Sequence, residues 1–206
     1  MIEAELPIFE LPVVLLPGEL MPLHIFEERY KRMVGHCLEA SEPFGIVYRD
    51  SDGARRIGCE ARVTEVLEQF DDGRMDIVVT GERPFRVLDR FEASDFPIGE
   101  VEPIEAGAGE PPAGEEADIA RDAFAELVER VSGEPADRDE LAAEDSYGIA
   151  ARVELPAETK QRLLELRSEP ERMRILGDAL GALVGALENS QEIAERAKMN
   201  GKVVVG

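Results

Sequence analysis

Four prolines, at positions 7, 12, 17 and 22, punctuate the most apolar stretch of the chain, "LPIFELPVVLLPGELMPLHIFEERYKRM" (residues 6–33), before it becomes charged and helix-like. This spacing rules out a helix over the apolar part, because each proline removes a backbone donor and clashes with the preceding turn. It suits strand ends, edges and bulges. The segment is expected to run extended along a barrel or sheet, with residues 11–16 the one piece able to pair continuously.

The hydrophobic period then changes. Phe26, Tyr30, Met33, Val34, Cys37 and Leu38 recur at helical spacing while Glu27, Glu28, Lys31 and Arg32 face elsewhere, which predicts an amphipathic helix over residues 26–40, ended by Pro43. "FGIVYR", the turn "DSDG" and "CEARVTEV" follow, and the alternation of Cys59, Ala61 and Val63 slips at Thr64 and Glu65 as at a β-bulge. "DDG" is a hairpin signal, after which "MDIVVTG" and "FRVLDRF" supply two more strands. About six strands with one embedded helix fit a small closed or nearly closed barrel. They do not fit a doubly wound parallel sheet, where helices alternate with strands.

Residues 105–118, "EAGAGEPPAGEEAD", contain no basic or large apolar residue and are expected to form an acidic Gly/Pro linker. Beyond it the pattern is helical. Ile119, Ala123, Phe124, Leu127, Val128 and Val131 form one stripe; a short helix is expected over 147–153; Leu155-Pro156 starts a third, and "SEPE" opens a long fourth. The glycines at 177, 181 and 185 lower helix propensity by about 1 kcal/mol each, a cost that close packing against a neighbouring helix would offset. The expected class is α+β: a barrel subdomain over 1–104, the linker, and a helical bundle subdomain over 119–206 whose tail "KVVVG" could pair with a second copy.

Charge narrows the partners. The formal net charge is -22, with 11 basic against 22 acidic residues up to position 104 and 12 against 23 after it, so the excess is spread along the chain. Such a field repels phosphate backbones and anionic membrane surfaces. Neither nucleic acid nor membrane is expected as a partner, and no apolar run is long enough to span a bilayer. The acidic N-terminus is unlike a secretory signal, and two isolated cysteines point to free thiols and a cytoplasmic protein.

Catalytic patterns are not apparent. His24, His36, Cys37 and Cys59 lack paired metal-ligand spacing, no G-x-S-x-G occurs, and "NGKVVV" lacks the upstream glycine and following Ser or Thr of a phosphate loop. No metal, cofactor or enzymatic activity is expected.

The opening segment, "LPIFELPVVLLPGELMPLHIFEERYKRMV", together with "FGIV", "IGCEARVTEV", "DGRMDIVVTGERPFRV" and "LPAETKQRLLELRSEPERMRIL", resembles the Lon protease N-terminal domain, the LON substrate-binding domain. The resemblance covers about residues 6–187. It implies a PUA-like barrel followed by a helical bundle, and a stand-alone LON-domain protein, since neither the ATPase nor the Ser-Lys peptidase domain of a full Lon protease follows. It further implies a non-catalytic protein-binding module: an adaptor or receptor for unfolded or damaged polypeptides, with a Lon-type protease or chaperone as a second partner. The binding surface would be an apolar groove between barrel and bundle, or a barrel edge pairing with an extended peptide. Pro22, Leu23, His24, Phe26, Glu27, Arg29 and Tyr30 carry the family pattern and are the candidate binding residues. Their other reading is structural, with an Arg29-carboxylate pair tying strand to helix. A PUA-like RNA-binding or small-ligand regulatory protein is the alternative function.

Overall fold

The computed structural model describes residues 4–93, 96–105 and 114–200. Six strands, β1 (Ala4–Leu11), β2 (Leu20–Ile25), β3 (Phe44–Asp50), β4 (Gly53–Gln69), β5 (Met75–Ala93) and β6 (Phe96–Pro103), enclose one helix, α1 (Glu28–Ala40). Among the described residues five helices follow: α2 (Glu115–Ser132), α3 (Arg138–Ala143), α4 (Ser146–Ala150), α5 (Ala157–Glu165) and α6 (Glu169–Asn200). The chain is therefore α+β, with strands first and helices after.

The strands run in the order β2-β5-β4-β3-β1-β6, and β6 also pairs with β5. Five strands thus close a ring and β2 hangs from β5 outside it. β1 lies parallel to β3, with β2 and α1 making the crossover; the other pairings are antiparallel. Leu6, Ile8, Val47, Phe85, Val87 and Val101 fill the ring as a small cluster. Glycines make room for it: a Cβ on Gly45 would lie 2.5 Å from the Phe85 ring.

The opposite face of β1 and β3 carries Phe9, Phe44, Ile46 and Tyr48 into the main core, shared with Tyr30, Met33, Val34 and Cys37 of α1 and with α2, α4, α5 and α6. With both faces covered, β3 is buried from Phe44 through Tyr48, which explains its near-continuous apolar run. Lys160 and Gln161 of α5 stitch the seam, the first to the Glu19 carboxylate and the second to the Ile57 carbonyl.

Several expectations change. The paired first strand is Ala4–Leu11, not residues 11–16; Val14, Leu15 and Leu16 are buried without being in a strand. The segments read as two strands after "DDG" are one strand of 19 residues, β5, which absorbs Gly81 and Pro84 through shifts of register against β4. The slip at Thr64 is real: register shifts between Val63 and Glu65. α1 begins at Glu28, so Phe26 is not on its buried stripe.

In the helical region α2 and α6 run parallel, since Ile119 and Ala120 lie against Gly177 and Arg130 reaches Glu188 at 2.7 Å. Only Gly177 of the three glycines meets that neighbour; a Cβ on Gly181 or Gly185 would find nothing within 4 Å. Ile119 and Val131 of the expected stripe are exposed. α2 starts at Glu115, and residues 106–113 of the expected linker, like the "KVVVG" tail, lie outside the described residues. No helix among the described residues is long and apolar enough to cross a membrane.

Candidate functional site

β2 is the element that brings the motif to the surface. Among the described strands it pairs with β5 alone, which is why Pro22 is tolerated within it: an edge strand has one row of backbone groups outside the ladder. Strand alternation exposes Leu20, Pro22 and His24 and turns Ile25 into the core. Phe26, just past the strand, is 60% exposed and stacks on His24 with ring centroids 5.9 Å apart. The Phe70 ring meets the same imidazole edge-on at 6.4 Å. His24 Nδ1 is 2.5 Å from Asp76 Oδ1 on β5.

The far end of β4 completes the surface. Its register shifts again between Val66 and Glu68, and Leu67 in that bulge is 56% exposed. Pro22, Leu23, His24, Leu67, Glu68, Asp76 and Ile77 line an open groove of about 350 Å³. Leu20, 65% exposed, extends the apolar surface along β2. Leu20 and Phe26 along β2 and Leu67 across β5 on β4 give a ligand apolar area to cover, of the kind that marks interaction sites.

The seven candidate residues divide. Pro22, Leu23 and His24 line the groove and Phe26 stands beside it. Tyr30 faces the other way, buried against Phe9 with centroids 4.1 Å apart, and burial raises its hydroxyl pKa. Glu27 precedes α1, its carbonyl accepting from the amides of Tyr30 and Lys31. Arg29 pairs with Glu27 at 3.1 Å and lies over the Tyr30 ring at 4.4 Å, so the expected tie between strand and helix is a local contact two residues long. Both partners are about half exposed, and such pairs contribute about 0–1 kcal/mol.

Leu67, Glu68, Phe70 and Asp76 were not among the candidates. The one sequence signal for them is the broken alternation in "VTEVLEQF", which marks a bulge without saying which side chains it turns outward.

A second groove, about 680 Å³ and mostly apolar, lies between α2, α6 and residues 152–154, lined among others by Phe124, Leu127, Val131, Val153, Leu183 and Leu187. Neither groove is at the seam between ring and helices. The two thiols are unsuited to nucleophilic work: both are buried, and burial pushes Cys37 up to about 11 and Cys59 higher.

Comparison with known proteins agrees with this architecture. A family model for the ATP-dependent protease La (LON) substrate-binding domain matches residues 5–181. The chain is 28% identical over 210 residues to a Lon protease of Paraburkholderia phytofirmans, covering 93% of this chain and 26% of that protein. It is 26% identical to a Lon protease of Anaeromyxobacter dehalogenans, covering 96% and 25%. The chain thus spans about a quarter of the length of these curated relatives. Among solved structures it is similar to a Lon N-terminal domain protein from Xanthomonas campestris, at TM-score 0.67 and 24% identity over 84% of this chain and 96% of that one. The N-terminal domain of a Mycobacterium avium complex Lon protease gives 0.64 and 20% over 86% and 98%. At these identities the likeness is one of fold.

Proposed function

This chain belongs to the ATP-dependent protease La (LON) substrate-binding domain family, and on that premise we propose that it is a cytoplasmic, non-catalytic protein-binding module. It would serve as an adaptor or receptor for unfolded or damaged polypeptides, with a Lon-type protease or chaperone as the onward partner. The strands up to Pro103 and the helices from Glu115 to Asn200 would then be two subdomains sharing one core.

One observation carries this reading. Leu20, Phe26 and Leu67 expose more than half of their surface around an edge strand whose second side has no strand partner among the described residues. An extended peptide added to that edge gains main-chain hydrogen bonds from β2 and apolar contacts from Leu20 and Phe26, and a segment that continues across the groove reaches Leu67 on β4. Folded proteins bury both features, whereas unfolded ones present them. The family pattern in residues 22–26 contributes to this surface directly.

The test is binding of a carboxymethylated, permanently unfolded polypeptide, followed by fluorescence anisotropy. Phe26→Ala and Leu67→Ala are expected to weaken binding about tenfold each, the effect of losing a well-buried apolar contact of roughly 1.4 kcal/mol. Their melting temperatures should stay near that of the parent, because both side chains are exposed in the free protein. Absence of binding to any unfolded chain would overturn the proposal.

A further inference from the structure

We propose that the groove between α2 and α6 is an interface with a second copy of this chain, each copy laying the projecting end of its α6 antiparallel along the α6 of the other. This stands apart from the polypeptide-binding reading and rests on different elements.

α6 outruns the body it packs on. Its last ion pair to α2 among the described residues is that of Glu188 with Arg130, and every residue from Glu188 to Ala194 is exposed. Two successive turns exposed on every side have no packed face. From Glu188 to Asn200 the helix runs on for about 18 Å, and a helical segment this short is marginal in water when nothing covers it.

The groove and the projection share one helix face. Leu183, Ala186 and Leu187 form the α6 wall of the groove, and each recurs seven residues on as Ser190, Ile193 and Ala194. A repeat of that length keeps a seam in contact along two paired helices. Ile193 is 66% exposed, and Val131, on the α2 wall, is 71% exposed. Both are large apolar side chains at the same end of the molecule, where Ser190 and Ala194 are small enough to let a second helix lie close.

Charge selects the antiparallel arrangement. Two chains of net charge -22 repel, so contact is favoured only where the local signs are opposite. Residues 196–206 contain Arg196, Lys198 and Lys202 and no Asp or Glu. Glu154 is exposed at the groove and has no ion pair among the described residues, whereas the neighbouring Arg152 is held by Glu144. Antiparallel helices carry the cationic end of one copy towards Glu154 of the other. Parallel helices would set like ends side by side and leave both grooves open. A two-fold axis makes each contact occur twice.

Sedimentation equilibrium of the whole chain tests the proposal, with a dimer expected by about 100 µM. Val131→Glu and Ile193→Glu alter exposed side chains, so the fold should persist while each weakens association about tenfold or more. Glu154→Lys should weaken it as well. A nitroxide on Ser190→Cys reports the arrangement, because both native thiols are buried; helices in contact about 8–10 Å apart should bring the two labels within about 20 Å. A chain that stays monomeric at about 100 µM would overturn the proposal. A dimer indifferent to Val131→Glu and Ile193→Glu would overturn the assignment to this groove, and labels far beyond that distance would overturn the antiparallel pairing. Binding of unfolded polypeptide is a separate measurement, so failure of either reading is seen independently.

Discussion

Gln161 of α5 donates its side-chain amide to the main-chain carbonyl of Ile57 in β4 across 3.1 Å, joining helices and ring between residues 104 positions apart in sequence. The same amide reaches Glu165, while the Gln161 carbonyl oxygen is buried without a partner among the described residues. Gln161→Leu removes the bond together with the unpaired oxygen and should change stability by only about 1 kcal/mol. Gln161→Glu sets a carboxylate against a carbonyl and against Glu165, and should cost about 2–4 kcal/mol at neutral pH. Urea unfolding of both variants measures the contrast; equal losses would mean that the seam does not depend on this contact.

Lys160 and Glu19 form the second tie, and at 12% and 13% exposure the pair is largely out of water. The other Glu19 oxygen accepts the Leu16 amide at 3.0 Å, holding the turn that leads into β2. Glu19→Gln keeps a partner for that amide but strands the lysine charge, at an expected cost of about 3 kcal/mol. Adding Lys160→Met should recover part of the loss, because no buried charge remains. A double variant less stable than Glu19→Gln alone would contradict this account.

Two glycines should respond in opposite directions. Gly81 of β5 sits against the Leu16 backbone, where a Cβ would fall 2.1 Å from the carbonyl oxygen, and its own amide donates to Glu19. Gly81→Ala forces two backbones apart and should destabilise by about 3 kcal/mol. Gly181 is exposed on α6 with open space around it. Gly181→Ala should stabilise by about 0.5–1 kcal/mol through helix propensity and a less flexible unfolded chain. Thermal melts of the two variants, compared with the parent, check both signs.

Tyr147 predicts the alkaline limit of the fold. Its hydroxyl donates to the Leu163 carbonyl at 3.2 Å, the Arg172 guanidinium covers its ring, and burial pushes its pKa from 10.0 to about 12. The folded state favours the neutral phenol, so this contribution is fully present below pH 10 and is lost as pH rises towards 12. The loss amounts to at most about 3 kcal/mol. Tyr147→Phe should cost about 1 kcal/mol at neutral pH and flatten the stability profile between pH 10 and 12. Circular dichroism and tyrosinate absorbance across that range distinguish the two proteins.

The sequence alone determined the elements whose burial repeats at a regular interval. Tyr30, Met33, Val34 and Cys37 lie one helical turn apart and became the buried face of α1; the apolar run from Phe44 to Tyr48 became the strand covered on both sides. The family, too, was legible, because the turn and core residues of 6–33 occur in a specific order. Periodicity states which side chains share a face, however, and not what lies against that face. Ile119 and Val131 share the α2 stripe yet are exposed, because a helix has several neighbours only along part of its length. Tertiary structure alone decided that the stretches on either side of Gly81 and Pro84 form one strand, since register shifts against β4 absorb a break that local propensity reads as an end. It also decided the groove. Pro22, His24, Leu67, Glu68 and Asp76 come from three strands, and only the register of β2 on β5 and of β5 on β4 sets the apolar side chains beside the carboxylates.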